Sequence, residues 1–315
     1  MCRLLGVVSR GPIALDRAVG EEIEPFTAQS EVHRDGWGVA WFDDEDGRER
    51  QDRQGEPGGS GDADARADPE SGADHGGSAD HGSSADHGGS ADHCGRGARL
   101  ANPRRPQTRR HLDVARESAA YREAIAAARG PMMLVHLRRA SPGLPMEIAN
   151  THPFREGETV FAHNGQFDLS APLREAILAR GGRTPEGTTD SELFYSLITL
   201  HQREHDLAAA VQHAAAELTA LCLHHGARVP EALNCLVMTP DLMVAYQQHD
   251  PAQAARHQVA DMYALRYRID ADRVIVASTG IPQTGHLEVG EGQALVIERS
   301  DLSVAVRPAL EETGR

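Results

Sequence analysis

Lysine is absent from this 315-residue chain, and all 32 basic residues are arginine. That excludes a Walker A phosphate loop, a Schiff-base lysine and any catalytic dyad built on lysine. Aromatic residues are sparse at 4%, and no apolar run approaches the length of about 18 residues that a membrane-spanning helix requires. The segment Leu4 to Ser9 is too short for the apolar core of a secretory signal, and Arg10 and Pro12 follow it at once, so the chain is expected in the cytoplasm. Only four cysteines occur, Cys2, Cys94, Cys222 and Cys235. Their spacing suits neither a metal site nor a disulfide framework, which agrees with a reducing compartment. The net charge is -15, with the acidic excess gathered in one polar tract, so nothing points to nucleic acid.

That tract is the clearest boundary in the chain. Residues 43–111 read as a low-complexity insertion within one domain spanning 1–315, rich in Gly, Asp, Ser and His, with a six-residue repeat that starts at Ala73, Ala79, Ala85 and Ala91. Such composition buries too little apolar surface to offset chain entropy and is expected to be disordered. A second reading makes His75, His81, His87 and His93, with Cys94, a metal-binding or partner-binding tether. Gly-Ser spacing gives such a tether no preorganised ligand geometry.

Outside the insertion, short β-like runs lie at Leu4–Ser9, Gly38–Phe42, Met132–Arg138, Thr159–His163, Cys235–Met238, Val274–Ser278 and Ala294–Glu298. Helical periodicity covers Ala115–Ala128, Leu169–Arg180, Ser191–Arg203 and Leu207–Leu223. Strands precede, separate and follow the helices, which predicts an α+β domain of sheets covered by helices.

Five features carry possible chemistry. Cys2 follows Met1 directly; removal of the methionine would leave one residue with both a thiol and a free α-amine able to take its proton near neutral pH. Taken alone, a cysteine there suits the start of a buried strand better. The turn Asp35-Gly36-Trp37-Gly38 leads into a strand. Arg138 closes another strand, and its planar fork is suited to holding a carboxylate through two hydrogen bonds. Asn164 and Gly165 sit at a strand end; they read as a turn, or as an amide and a backbone N–H donating to an oxyanion. Asp190, in Thr188-Thr189-Asp190, caps a helix or pairs with a ligand ammonium.

Taken together, these parts fit the γ-amide of glutamine, and the chain resembles the glutaminase domain of the class II glutamine amidotransferases, of the N-terminal nucleophile hydrolase type. The resemblance rests on Cys2-Arg3-Leu4-Leu5-Gly6, Asp35-Gly36-Trp37-Gly38, His136-Leu137-Arg138, Asn150-Thr151-His152-Pro153-Phe154, His163-Asn164-Gly165 and Thr189-Asp190-Ser191-Glu192, in family order. It implies a four-layer α/β/β/α sandwich. It implies Cys2 as nucleophile, Asn164 and Gly165 as oxyanion donors, Arg138 on the substrate α-carboxylate and Asp190 on its α-ammonium. Gly36, Trp37 and Gly38 would shape the floor near Cys2, and His152 and His163 would be structural, satisfied by backbone groups. No metal and no organic cofactor is expected.

The chain departs from the family pattern in having Arg139 after the clamp arginine and Pro142-Gly143 beyond it. It is similar to the short stand-alone members, which work with a separate ammonia-accepting synthase subunit, act as glutaminases, or hydrolyse a larger γ-glutamyl amide, as in ergothioneine synthesis. Other readings keep the fold with a different linear amide, or make the chain a non-catalytic binding module.

Overall fold

The computed structural model describes residues 2–43, 104–141, 143–259 and 261–311. The histidine repeat lies outside the described residues, as does most of the 43–111 segment. The last residues of that segment, Gln107–His111, form a strand, so the insertion ends earlier than its composition suggested.

Two antiparallel sheets hold the site. The first contains β1 (Arg3–Ala14), β2 (Trp37–Phe42), β3 (Gln107–His111), β4 (Arg129–Leu137), β9 (Leu265–Ile269), β10 (Arg273–Ser278) and β11 (Leu287–Glu288), in the order β11-β9-β10-β1-β4-β2-β3. The second contains β5 (Phe154–Glu156), β6 (Thr159–Gln166), β7 (Ala232–Met238), β8 (Leu242–Tyr246), β12 (Ala294–Glu298) and β13 (Val304–Arg307), in the order β13-β12-β8-β7-β6-β5.

The central strands are buried on both faces and therefore read as continuous apolar runs rather than alternating ones. In β1, Leu4 and Val8 enter the core between the sheets, with Ala162 and Leu236 from the opposite sheet. Leu5 and Val7 point the other way, into a second core that includes Leu15, Phe26, Trp37 and Tyr121. That outer core is closed by the short helices α1 (Leu15–Val19) and α2 (Ile23–Ala28) and by α3 (Ala119–Ala127). The outer face of the second sheet is covered by α4 (Ala171–Leu178), α5 (Asp190–His201) and α6 (Leu207–His224), with Phe161, Leu193, Phe194 and Val211 packed between. A further short helix, α7 (Pro251–Ala254), follows β8. The result is the α/β/β/α layering expected from the resemblance.

The helices start where the sequence supplies caps. Thr189 accepts from Glu192 N and Asp206 from Ala209 N, and Ser118 and Ser170 cap α3 and α4 in the same way. Among the described residues no helix is long and apolar enough to cross a membrane.

Candidate active site

Register brings the key residues to one end of the space between the sheets. In the first sheet Arg3 pairs with Leu137 and Leu137 with Trp37. Cys2, just before β1, and Arg138, just after β4, therefore lie side by side. Side chains alternate along a strand: Leu134 faces the inter-sheet core, and His136 and Arg138 share its parity. In the second sheet Val160 and Ala162 face the same core, and Asn164 continues that row at its end.

The two rows meet through a hydrogen bond. Cys2 N donates to Asn164 Oδ1 at 2.8 Å. With its carbonyl oxygen so engaged, the Asn164 amide nitrogen Nδ2 is buried and has no partner. An unsatisfied buried donor costs about 1–3 kcal/mol, so its retention here calls for a functional reason. Gly165 cannot carry a side chain, because a Cβ would lie 1.9 Å from Ala232 O and 2.6 Å from His163 Nε2.

The thiol is bracketed by the backbone of one residue. Arg139 N donates to Cys2 Sγ at 3.4 Å, and Sγ lies 3.6 Å from Arg139 O. Arg3 Nη1 donates to Cys2 O at 3.0 Å, so Cys2 is held at its nitrogen, sulfur and carbonyl. The other described cysteines are buried in packing: burial raises Cys222 to about 11 and raises Cys235 as well.

Arg138 is 2% exposed. Its Nη1 donates to Asp35 O at 3.1 Å and contacts Met146 Sδ at 3.2 Å, while Nη2 is buried without a partner. Burial lowers the pKa of the guanidinium, with Cys2 and Asp35 opposing that shift. A buried guanidinium with one free edge is arranged to receive an anion. Asp35 also steadies the neighbouring loop, accepting from Ala140 N at 2.8 Å.

Asp190 opens α5. Its carboxylate accepts from Phe167 N at 3.1 Å and Ser191 N at 2.9 Å. Burial nevertheless dominates and raises its pKa to about 6. Asp190 lines a cavity of about 250 Å³ together with Ser141, Gln166, Arg228, Glu231 and Gln253, among others. Ser141, three residues past Arg138, donates to Gln166 Oε1 at 3.3 Å, and Gln166, next to Gly165, donates to Glu231 Oε2 at 2.6 Å. The cavity thus adjoins both strand ends that carry Arg138 and Gly165, although Cys2 and Arg138 are not part of its lining.

Gly36 and Gly38 are dictated by close approach. Gly36 has φ +122°, and a Cβ on Gly38 would lie 2.0 Å from His152 O, so Gly38 admits the 150–154 segment over the inner face of the first sheet. Trp37 points the opposite way, stacking on His111 at 5.9 Å and meeting Tyr121 edge-on at 5.3 Å. It supports the sheet from the helix side and does not form a floor beside Cys2.

His136, His152 and His163 pack in a row beneath the site, with ring centroids 4.3 Å apart for the first pair and 6.5 Å for His152 and His163. Burial pushes His136 down to about 3 and His163 to about 4, and lowers His152 well below its ordinary value. All three are neutral at physiological pH. His163 Nε2 donates to Ala232 O, leaving Nδ1 to accept from Ser191 Oγ at 2.9 Å. His152 differs from the backbone-satisfied role expected for it: neither ring nitrogen has a partner, and it is held by packing on His136 and Phe154.

Sequence reasoning missed the cavity wall formed by Gln166, Glu231 and Gln253. Gln166 adjoins a legible motif, but Glu231 lies 65 residues further on and carries no local signal. Among the described residues no group of three or more His, Cys, Asp or Glu side chains could hold a metal ion.

A thiol at the head of a central strand in an α/β/β/α sandwich defines the class: this is an N-terminal nucleophile type fold. The family model for class-II glutamine amidotransferases matches residues 104–272, just over half of the chain, and the chain belongs to that family. It is 39% identical over 88 residues to the isomerizing glutamine–fructose-6-phosphate aminotransferase of Legionella pneumophila strain Paris. That match covers 27% of this chain and only 14% of the relative. In fold it is similar to a glutamine aminotransferase class-II domain protein from Silicibacter pomeroyi, with TM-score 0.57 and 19% identity over 97% of this chain and 98% of the other. It is also similar to the glutamine phosphoribosylpyrophosphate amidotransferase of B. subtilis, with TM-score 0.54 and 14% identity over 96% of this chain and 48% of that one.

Proposed function

We propose that the protein hydrolyses the γ-amide of glutamine to glutamate and ammonia through a γ-glutamyl thioester on Cys2. The observation that carries this reading is the Cys2 N to Asn164 Oδ1 bond, which leaves Asn164 Nδ2 as an unpaired donor beside the nucleophile. Removal of Met1 converts the Cys2 nitrogen from an amide into an amine while one of its hydrogens stays on Asn164. The amine lone pair then takes the thiol proton, and sulfur attacks the amide carbon. Asn164 Nδ2 and the Gly165 N–H donate to the oxyanion. The ammonium formed on Cys2 returns its proton to the departing nitrogen, the C–N bond breaks, and ammonia leaves. Water, deprotonated by the same amine, attacks the thioester to give glutamate and the free thiol. Arg138 holds the α-carboxylate and Asp190 the α-ammonium.

A second reading within the same chemistry is a γ-glutamyl amide larger than glutamine. It is favoured by the extent of the cavity, which runs past Asp190 to Arg228, Glu231 and Gln253, residues for which glutamine alone has no use.

Glutamate release from glutamine and a panel of γ-glutamyl amides tests both readings. Arg138→Ala is expected to raise KM for the preferred amide about 10- to 100-fold, the loss of hydrogen bonds to a charged group. An unchanged KM would remove the amino-acid clamp from the account and favour an amide without that head group.

Substrate binding should also depend on pH. With its pKa raised to about 6, Asp190 is an anion above that pH and a neutral acid below it, where it no longer pairs with an ammonium. For a Cys2→Ala protein, the glutamine Kd from calorimetry is expected to be flat from about pH 7 to 8 and to weaken about tenfold per unit well below pH 6. Equal Kd values at pH 5 and pH 7.5 would contradict the assignment. The same raised pKa means that Asp190 contributes to stability when protonated and that this contribution is lost as pH rises through about 6.

A further inference from the structure

The amide of Asn150 joins the two loops that carry the head-group clamp. Asn150 is fully buried. Its Nδ2 donates to Pro145 O at 3.1 Å and to Thr188 Oγ1 at 3.2 Å, and its Oδ1 accepts from Thr188 N at 2.8 Å. Pro145 precedes Met146, whose sulfur touches Arg138 Nη1. Thr188 lies two residues before Asp190. One side chain therefore fastens the loop beside the carboxylate-binding arginine to the turn that delivers the ammonium-binding aspartate.

The turn is held from its other side as well. Glu192 is wholly buried and accepts from Glu186 N at 2.8 Å, Gly187 N at 2.6 Å and Arg183 Nη1 at 2.8 Å. Gly187 has to be glycine, since a Cβ there would come within 2.2 Å of Asn150 Oδ1. The residues leading to Asp190 are thus clamped between Asn150 and Glu192, with no slack on either side.

We infer that Asn150 is a positioning residue that sets the spacing between Arg138 and Asp190, and so selects substrates with an α-amino and an α-carboxyl group on one carbon. This rests on the reading of those two residues as the head-group clamp. Asn150 touches neither Cys2 nor the reacting carbonyl, so its removal should impair recognition of the amino-acid head while leaving the thiol as reactive as before.

Two reagents separate these effects in the full-length protein. Iodoacetamide alkylates Cys2 without using a head group; an electrophilic glutamine analogue, with a diazoketone in place of the amide, needs both Arg138 and Asp190. In Asn150→Ala the inactivation rate with the analogue is expected to fall at least tenfold, with iodoacetamide within about twofold of wild type and KM for glutamine rising more than kcat falls. Thr188→Val, which removes only the hydroxyl contact, serves as the milder variant if Asn150→Ala does not fold, and should show the same split at about threefold. Equal slowing with both reagents, or no change with either, would overturn the inference. Wild-type protein that reacts with iodoacetamide but not with the analogue would instead count against the γ-glutamyl reading, and the spacing role would fall with it.

Discussion

Glutamate release by the Cys2→Ala protein is expected to fall at least about 10⁴-fold, because loss of the nucleophile leaves only the residual acceleration provided by binding and the oxyanion donors. The size of the effect follows from the site's economy of parts. The three histidines beneath Cys2 are buried, and burial pushes His136 down to about 3 and His163 to about 4 and lowers His152 as well, too low for a general base at neutral pH. Cys222 and Cys235 sit in packing and their thiols are pushed up. Of the described cysteines, Cys2 is the one hydrogen-bonded to Asn164 and to the residue that follows Arg138. Retention of more than about a tenth of the activity would show that Cys2 does not carry the reaction.

The second large effect belongs to Asn164. Asn164→Ala should lower kcat about 10²- to 10³-fold, the usual consequence of removing one oxyanion donor, with little change in KM. Asn164→Asp is the more discriminating substitution. It keeps an oxygen to accept from the Cys2 nitrogen but replaces the Nδ2 donor by a second oxygen, which repels the developing oxyanion. Its kcat should therefore fall at least as far as that of the alanine variant. If Asn164→Asp kept near wild-type kcat, the amide nitrogen would have no part in stabilising the intermediate, and Asn164 would serve only to hold the chain terminus.

The parts of this architecture that could be read from sequence are those where burial leaves a pattern. β1, β4 and β7 run through the centre of their sheets, and their apolar stretches announce them; α5 and α6 follow helical periodicity and carry their own caps. The edges were silent. Gln107-Thr108-Arg109-Arg110-His111 pairs with β2 through its backbone, yet its half-exposed polar side chains and its position beside the Gly-rich tract resemble a loop. α1 and α2 are too short, at five and six residues, to show a helical period.

In the site the contrast is similar. Asn164, Arg138 and Asp190 stand in recognisable local motifs at strand or helix ends, and register explains how the first two reach Cys2. Trp37 belonged to such a motif too, but strand parity turned its ring to the far side of the sheet. The cavity wall from Ser141 through Gln166 to Glu231, and the Asn150 link between two loops, exist only as contacts between distant segments. No periodicity or spacing encodes them.

The central claim is covalent chemistry at Cys2 with a free α-amine, and mass spectrometry tests it most directly. Protein incubated with an electrophilic glutamine analogue and then digested should give an N-terminal peptide that begins at Cys2, lacks Met1 and bears one adduct on the sulfur. Active protein that retains Met1, or an adduct carried by Cys222 or Cys235 while Cys2 stays unmodified, would contradict the account.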